Sequence, residues 1–276
     1  MNNRYTNRRP MNLRGMNDQN VKTVKDQSIE DGLRQLPFDA IEAYKTIRMN
    51  IVFMLSQSKK NSFVVSSYEQ GDGKSTCAIN IAAAFSQLGN KVLLIDGDLR
   101  KPTIHKKLRL GNTKGLSSVL VGFCTAADAV QSIGKRLDVL TAGPTPPNPS
   151  ELLCSGAMDV LLAGLEEKYD YIIFDTPPFG IVSDALVLAP KTAGVVVVTR
   201  ANITTVDQVK KTVGLIETAG IKLIGTVLNG ARPERHGYYK KYYKKRYRSH
   251  YSYRNFVIGT NFAEAADAPT TKTGDK

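Results

Sequence analysis

Lys74, Ser75 and Thr76 stand directly behind two glycines, Gly71 and Gly73, at the end of FVVSSYEQGDGKST (residues 63–76). A lysine and a hydroxyl group closing a glycine-rich turn suit one chemistry, the holding of phosphate. The lysine reaches β- and γ-phosphates, the Ser75 hydroxyl ligates Mg²⁺, and loop N–H groups point at phosphate oxygens. Gly71 and Gly73 keep Cβ atoms away from the triphosphate. Gly71, Asp72, Gly73, Lys74, Ser75 and Thr76 are therefore the expected nucleotide-holding residues. The match to G-x-x-x-x-G-K-[ST] is partial, because Tyr68 stands where glycine is called for. A GxGxxG dinucleotide site is excluded, since its third glycine falls on Thr76.

Carboxylates supply the second half of the chemistry. Val92-Leu93-Leu94-Ile95 ends at Asp96-Gly97-Asp98-Leu99-Arg100, and Tyr171-Ile172-Ile173-Phe174 ends at Asp175-Thr176-Pro177-Pro178. Each apolar run has the character of a buried strand, and ligands of parallel α/β sheets sit at strand carboxyl ends. A phosphate-bound Mg²⁺ takes one or two carboxylates. A single strand-end Asp is usually a turn former; three of them beside one Gly-Lys-Ser loop are a constellation.

The elements that must position these residues follow from the hydrophobic pattern. A helix is expected over 38–55, a strand over 63–67, a helix over 75–88 and a strand over 91–96. After a mixed stretch, 102–134, come a strand at 137–141 and a helix beginning near Pro149 and running to about Lys168. Asn148, Pro149 and Glu151 read as its cap, first residue and capping-box partner. Strand 170–175, a short helix near 183–190, strand 193–199, helix 204–219 and strand 221–228 complete the series. Alternating strands and helices predict a P-loop NTPase-like α/β domain, a parallel sheet with helices on both faces, over residues 35–230.

The 276-residue chain has a formal net charge of +13, spread unevenly. Residues 31–230 are nearly neutral, with 21 Lys/Arg and 18 Asp/Glu, whereas residues 231–276 carry eleven and four. Residues 1–34 are polar, Asn- and Arg-rich, and read as disordered. Residues 231–276 form a basic tail in which seven tyrosines crowd between Lys and Arg: Tyr238, Tyr239, Tyr242, Tyr243, Tyr247, Tyr251 and Tyr253. No apolar run approaches the ~18 residues of a membrane span, and no signal-peptide h-region opens the chain. Three scattered cysteines, Cys77, Cys124 and Cys154, fit a reduced cytoplasmic protein better than a disulfide or zinc framework.

Taken together, the motifs resemble those of the bacterial tyrosine kinases (BY-kinases), in particular the soluble Gram-positive type of capsule and exopolysaccharide systems. The resemblance covers about residues 35–253. It rests on the Gly-Lys-Ser loop, D-x-D-x-R at Asp96, Asp98 and Arg100, D-x-x-P at Asp175–Pro178, a PPNPSELL turn, Asp184-Ala185, and the C-terminal tyrosine cluster. Two departures are Gln70, where family loops commonly carry proline, and Lys45 in the family's E-x-x-R-x-x-R subunit-joining helix motif, present as Glu42, Lys45 and Arg48. Lysine lacks arginine's planar fork, so the ring is expected to be weaker or differently paired.

The resemblance implies an ATP- and Mg²⁺-dependent autokinase. Lys74 and the loop amides hold triphosphate, Ser75, Asp98 and Asp175 hold the metal, and Asp96 takes the tyrosine proton. Arg100 and Asn229 contact nucleotide, and the seven tail tyrosines accept phosphate between subunits of a ring. Expected partners are a membrane adaptor of the polysaccharide co-polymerase type and a cognate tyrosine phosphatase, with no nucleic acid. Location would be cytoplasmic, recruited through the adaptor to the inner face of the plasma membrane.

Two rivals stand beside this. A MinD/ParA-type switch ATPase shares sheet and loop but places a second lysine five residues before the loop lysine, where this chain has Glu69. A basic-tail ATPase would dock the Tyr/Lys segment on nucleic acid or anionic lipid.

Overall fold

The computed structural model describes residues 36–231; the tyrosine cluster and the N-terminal segment lie outside the described residues. The first element is helix α1, Phe38–Leu55, which leads into β1, Ser62–Ser67. The phosphate loop connects β1 to helix α2, Lys74–Ser86, followed by β2, Val92–Asp96. Three short helices, α3 (Ile104–Lys107), α4 (Leu116–Leu120) and α5 (Ala126–Ala129), precede β3, Val130–Ser132, and β4, Leu137–Leu140. Helices α6 (Pro149–Cys154) and α7 (Gly156–Glu166) lead to β5, Tyr171–Asp175. Helix α8 (Asp184–Leu188), a 3₁₀ turn (Ala189–Lys191), β6 (Val195–Arg200), α9 (Val206–Thr218) and β7 (Leu223–Asn229) complete the body.

The strands form one seven-stranded sheet in the order β3-β4-β2-β5-β1-β6-β7. All neighbours are parallel except β3 with β4. Strands buried on both faces must be apolar throughout, and Phe63–Val65, Val92–Ile95, Ile172–Phe174 and Val195–Val198 are 0–1 % exposed. Their side chains alternate between two cores. Phe63, Val65, Leu94, Ile173 and Val196 face α1 and α2, while Val64, Leu93, Ile95, Phe174 and Val197 face the core that includes Met158 of α7 and Leu188 of α8. Alanines 82–84 let α2 lie close under the sheet, where almost all of its residues are buried.

Three expectations need correction. The single helix read from Pro149 to about Lys168 is two helices, because Ser155 takes an extended conformation (φ −62°, ψ 156°) and Gly156 restarts the helix. The Ser155 hydroxyl donates to the Leu152 carbonyl at 2.7 Å, competing with the helix ladder at the break. The capping box at Asn148 and Glu151 does not form; the Asn148 amide donates to the Glu151 carboxylate instead. Capping boxes do close at Thr125/Asp128 and Thr205/Gln208. The mixed stretch also hides β3, an antiparallel edge strand of three residues, too short for periodicity to announce.

Candidate active site

Topology gathers the chemistry at one edge. The carboxyl ends of β1, β2 and β5 lie side by side, with Val65 and Asp96 both in register with Asp175. The phosphate loop leaves β1 and enters α2 through Gly73, whose φ of +95° and Gly71's +99° are conformations that side chains avoid. Gly73 is also sterically obligatory: a Cβ there would lie 2.1 Å from Asn229 Nδ2. That amide donates to the Asp72 carbonyl at 2.9 Å, tying the loop to the end of β7. Asp72 braces the loop from within, its carboxylate accepting from Glu69 N and from Thr204 Oγ1. Arg200 at the end of β6 donates to the Gly71 carbonyl at 2.8 Å. Tyr68 fits in place of the motif glycine because Gly180 makes room: its N–H donates to the Tyr68 carbonyl, and a Cβ there would be 2.6 Å from that oxygen.

Lys74 is the hub. Its Nζ lies 3.2 Å from Asp98 Oδ2, 3.3 Å from Asp175 Oδ1 and 3.3 Å from Ser75 Oγ. Ser75, Asp98 and Asp175 are the three residues expected to hold the metal, and the ammonium stands in their midst. Burial works to lower the pKa of Lys74, yet Asp175 and Asp98 outweigh it and hold the amine protonated. Burial pushes Asp175 up against the opposing pull of Lys74. Asp96 is pushed up to about 8, by burial first and then by Asp175. Three carboxyls thus share one ammonium, leaving negative charge short of a counter-ion. Asp175 Oδ2 is buried without a hydrogen-bond partner. An orphaned acceptor in an acid-rich pocket beside a phosphate loop fits a divalent cation shared with phosphates, as Mg²⁺ prefers. Among the described residues no group of three or more His, Cys, Asp and Glu could cage a metal alone.

The remaining expected residues fall elsewhere. Asp96 is fully buried and accepts from the backbone N–H groups of Asp98, Thr103 and Ile104, so it shapes the loop that carries Asp98. Arg100 forks onto Asp184, Nε at 2.8 Å and Nη2 at 3.0 Å, with Ser150 joining both. Thr76 Oγ1 accepts from Lys107. Glu42 and Lys45 pair with each other at 2.7 Å on α1, and Arg48 turns inward to donate to the Ala84 carbonyl near the C-terminus of α2. Glu69, at the position where the switch-ATPase class carries its second lysine, accepts from Gln208 of α9. Arg200, Thr204 and Gly180 carried no motif; a strand-end Arg or a loop Gly has no spacing signal of its own.

Comparison with known proteins places the chain. A family model described as ParA, the NUBPL iron-transfer P-loop NTPase, matches residues 58–245. Tyrosine-protein kinase YwqD of Bacillus subtilis is 45 % identical over 202 residues, covering 73 % of this chain and 85 % of that protein. The chain belongs to the bacterial tyrosine-kinase family. The crystal structure of the chimerical protein CapA2B2 superposes with a TM-score of 0.67 at 40 % identity, over 75 % of this kinase and all of that chain. The cell-division ATPase MinD of Pyrococcus furiosus is more distant, with a TM-score of 0.52 at 25 % identity over 61 % of this kinase and 71 % of that chain. The kinase thus shares its sheet with the ATPase class and its sequence with the tyrosine kinases. Among its described residues no helix is long and apolar enough to cross a membrane.

Proposed function

We propose that this kinase transfers the γ-phosphoryl group of ATP to the tyrosines of its own C-terminal cluster, Tyr238 to Tyr253. The observation that carries the reading is the placing of Ser75 Oγ, Asp98 Oδ2 and Asp175 Oδ1 each within 3.3 Å of a single ammonium, Lys74 Nζ. That is the residue set phosphoryl transfer needs, since the work is placement and charge neutralisation. Gly71–Thr76 cradle the triphosphate, with Lys74 swinging from the carboxylates to the β/γ-phosphates. Ser75, Asp98 and Asp175 would hold Mg²⁺, which when bound neutralises phosphate charge. Asp96, with its pKa near the working pH, takes the phenol proton as the new P–O bond forms.

Transfer runs between subunits of a ring built on α1, expected through the Glu42, Lys45 and Arg48 motif; of the three, Glu42 and Lys45 lie at the surface, whereas Arg48 fastens α1 to α2. An adaptor at the inner face of the plasma membrane recruits the ring, and the output is control of capsular or exopolysaccharide synthesis. A cognate phosphatase resets the tyrosines. The relative's name, tyrosine-protein kinase YwqD, supports the phosphoryl-transfer part of this reading.

Incubation with Mg-ATP followed by mass spectrometry should map phosphate onto the cluster. Mixing a Lys74→Met chain with an active, tail-deleted chain should label the Lys74→Met chain; absence of label there refutes transfer between subunits. A switch ATPase would hydrolyse ATP and leave every tyrosine bare.

A further inference from the structure

From Leu99 to Ala127 the chain carries six Lys/Arg and no Asp/Glu. Arg100 is occupied by Asp184. Lys101, Lys106, Lys107, Arg109 and Lys114 are exposed, and none forms an ion pair among the described residues. They lie on α3 and its flanking loops, beyond the carboxyl end of β2. The active site is adjacent, because Lys107 Nζ donates to Thr76 Oγ1 at 3.2 Å on the first turn of α2. Arg109 sits at φ +53°, the left-handed conformation that glycine adopts freely after a helix.

We propose that this basic face captures the reaction product, the phosphorylated tyrosine cluster of the chain's own C-terminal segment, and repels the same cluster before phosphorylation. The proposal rests on the reading that the cluster is the phosphoacceptor. Residues 235–254 hold eight Lys/Arg and no Asp/Glu, so the substrate segment is as basic as the face. Each phosphotyrosine brings about −1.5 to −2 charges and three strong acceptor oxygens. The sign of the segment therefore reverses at about the fourth to sixth phosphate, and repulsion becomes charge-assisted hydrogen bonding.

Reach permits it. β2 lies four strands from β7, which ends at Asn229, a distance of about 20 Å at ~4.8 Å per strand. The residues from Ala231 to Tyr238 and to Tyr253 can extend up to about 23 and 75 Å. An anionic bilayer is the other surface a basic face could meet. A flat membrane resting on Lys107 would also cover Thr76 and the mouth of the phosphate cradle, whereas a peptide can lie alongside. A retained product would occupy the approach used by the next tail, so phosphorylation would slow itself as it proceeds.

The test measures binding of synthetic peptide 235–254, with none or all seven tyrosines phosphorylated, to the dephosphorylated full chain in saturating Mg-ADP. Fluorescence anisotropy reads affinity without any transfer step. The phosphorylated peptide should bind at least 10-fold tighter than the bare one and weaken steeply with salt. A Lys101→Glu/Lys106→Glu/Lys114→Glu chain, shown folded by its melting curve, should lose at least 10-fold. The Gln version of the triple should lose less, and its loss alone decides the matter if the Glu version misfolds. Equal affinity for the two peptides, or full affinity in the folded variants, overturns the proposal. Binding that appears only when Mg-ADP is left out overturns it too, since the cradle would then be the site. So does preference of the face for phosphatidylserine vesicles with no peptide binding. Because the peptide's phosphates are chemical, bare tyrosines in the mass-spectrometric map would sink the autokinase reading while leaving this binding result to stand or fall alone.

Discussion

Lys74 serves two masters. It neutralises Asp98 and Asp175 at 3.2 and 3.3 Å, and the chemistry needs it on phosphate instead. Replacing it by Met should abolish tyrosine phosphorylation, by at least about 100-fold, because placement and charge are most of this catalysis. The variant also leaves two buried carboxyls unpaired, so its Tm should fall, and Mg²⁺ alone should restore more of the loss than it adds to the parent. Differential scanning fluorimetry with and without Mg²⁺ measures this; identical Mg²⁺ responses would refute it. Asp96→Asn removes the proton acceptor and also turns an amide NH₂ toward a backbone N–H that the carboxylate now serves. Loss of the base lowers kcat by about 10²–10⁴-fold, and ATP affinity reads the scaffolding part separately. Loss of ATP affinity and Tm together would instead make Asp96 a purely structural brace.

The pH dependence follows from the same residue. A carboxyl whose folded pKa is raised to about 8 binds its proton more tightly in the folded state than in the unfolded one. Stability of the empty protein therefore falls as pH climbs from the ordinary carboxylate range through about 8. Asp175, also raised, acts in the same direction. Urea unfolding at pH 6 and pH 9 without ligand should show the higher midpoint at pH 6, and Asp96→Asn should flatten the difference.

At the scale of elements, the loop depends on neighbours that no motif names. Gly73→Ala puts a methyl 2.1 Å from Asn229 Nδ2 at a φ of +95°. The backbone alone costs about 1–3 kcal/mol, and nucleotide binding should be lost with it. Adding Asn229→Ala should recover the steric part and not the backbone part, which a double-mutant cycle by chemical denaturation resolves. The strands and α2 were legible because their apolar runs are long and buried on both faces, and the phosphate loop and strand-end Asp residues because their spacing is fixed by the ligand. Ser155 was not, since a serine within an apolar-periodic stretch looks the same whether it breaks the helix or rides on it. Asn148 misled for a related reason: its amide and the Glu151 carboxylate satisfy each other, a choice that pattern cannot see. Arg200 and Thr204 reach the loop only through the fold, from a strand that follows it by some 130 positions.

For the whole molecule, α1 is bound to the site helix more tightly than a detachable docking arm would be. Tyr44 accepts from Asn80 at 3.3 Å, and Arg48 donates to the Ala84 carbonyl at 2.7 Å, so two buried hydrogen bonds fasten α1 to α2. If α1 joins subunits, assembly should be felt at Lys74. Arg48→Met, similar in length and without the buried charge, should leave the fold intact while shrinking the oligomer in size-exclusion chromatography and lowering ATP affinity in step. Oligomer loss with unchanged ATP affinity would show the two helices to be uncoupled.

The internal ammonium also sets what the enzyme asks of its surroundings. Lys74 supplies part of the counter-charge when no nucleotide is bound, so a chelator should shift the melting curve little and silence the enzyme only once nucleotide arrives. Scarcity of the cation would then idle the enzyme without unfolding it, and supply would revive the same molecules with no new synthesis.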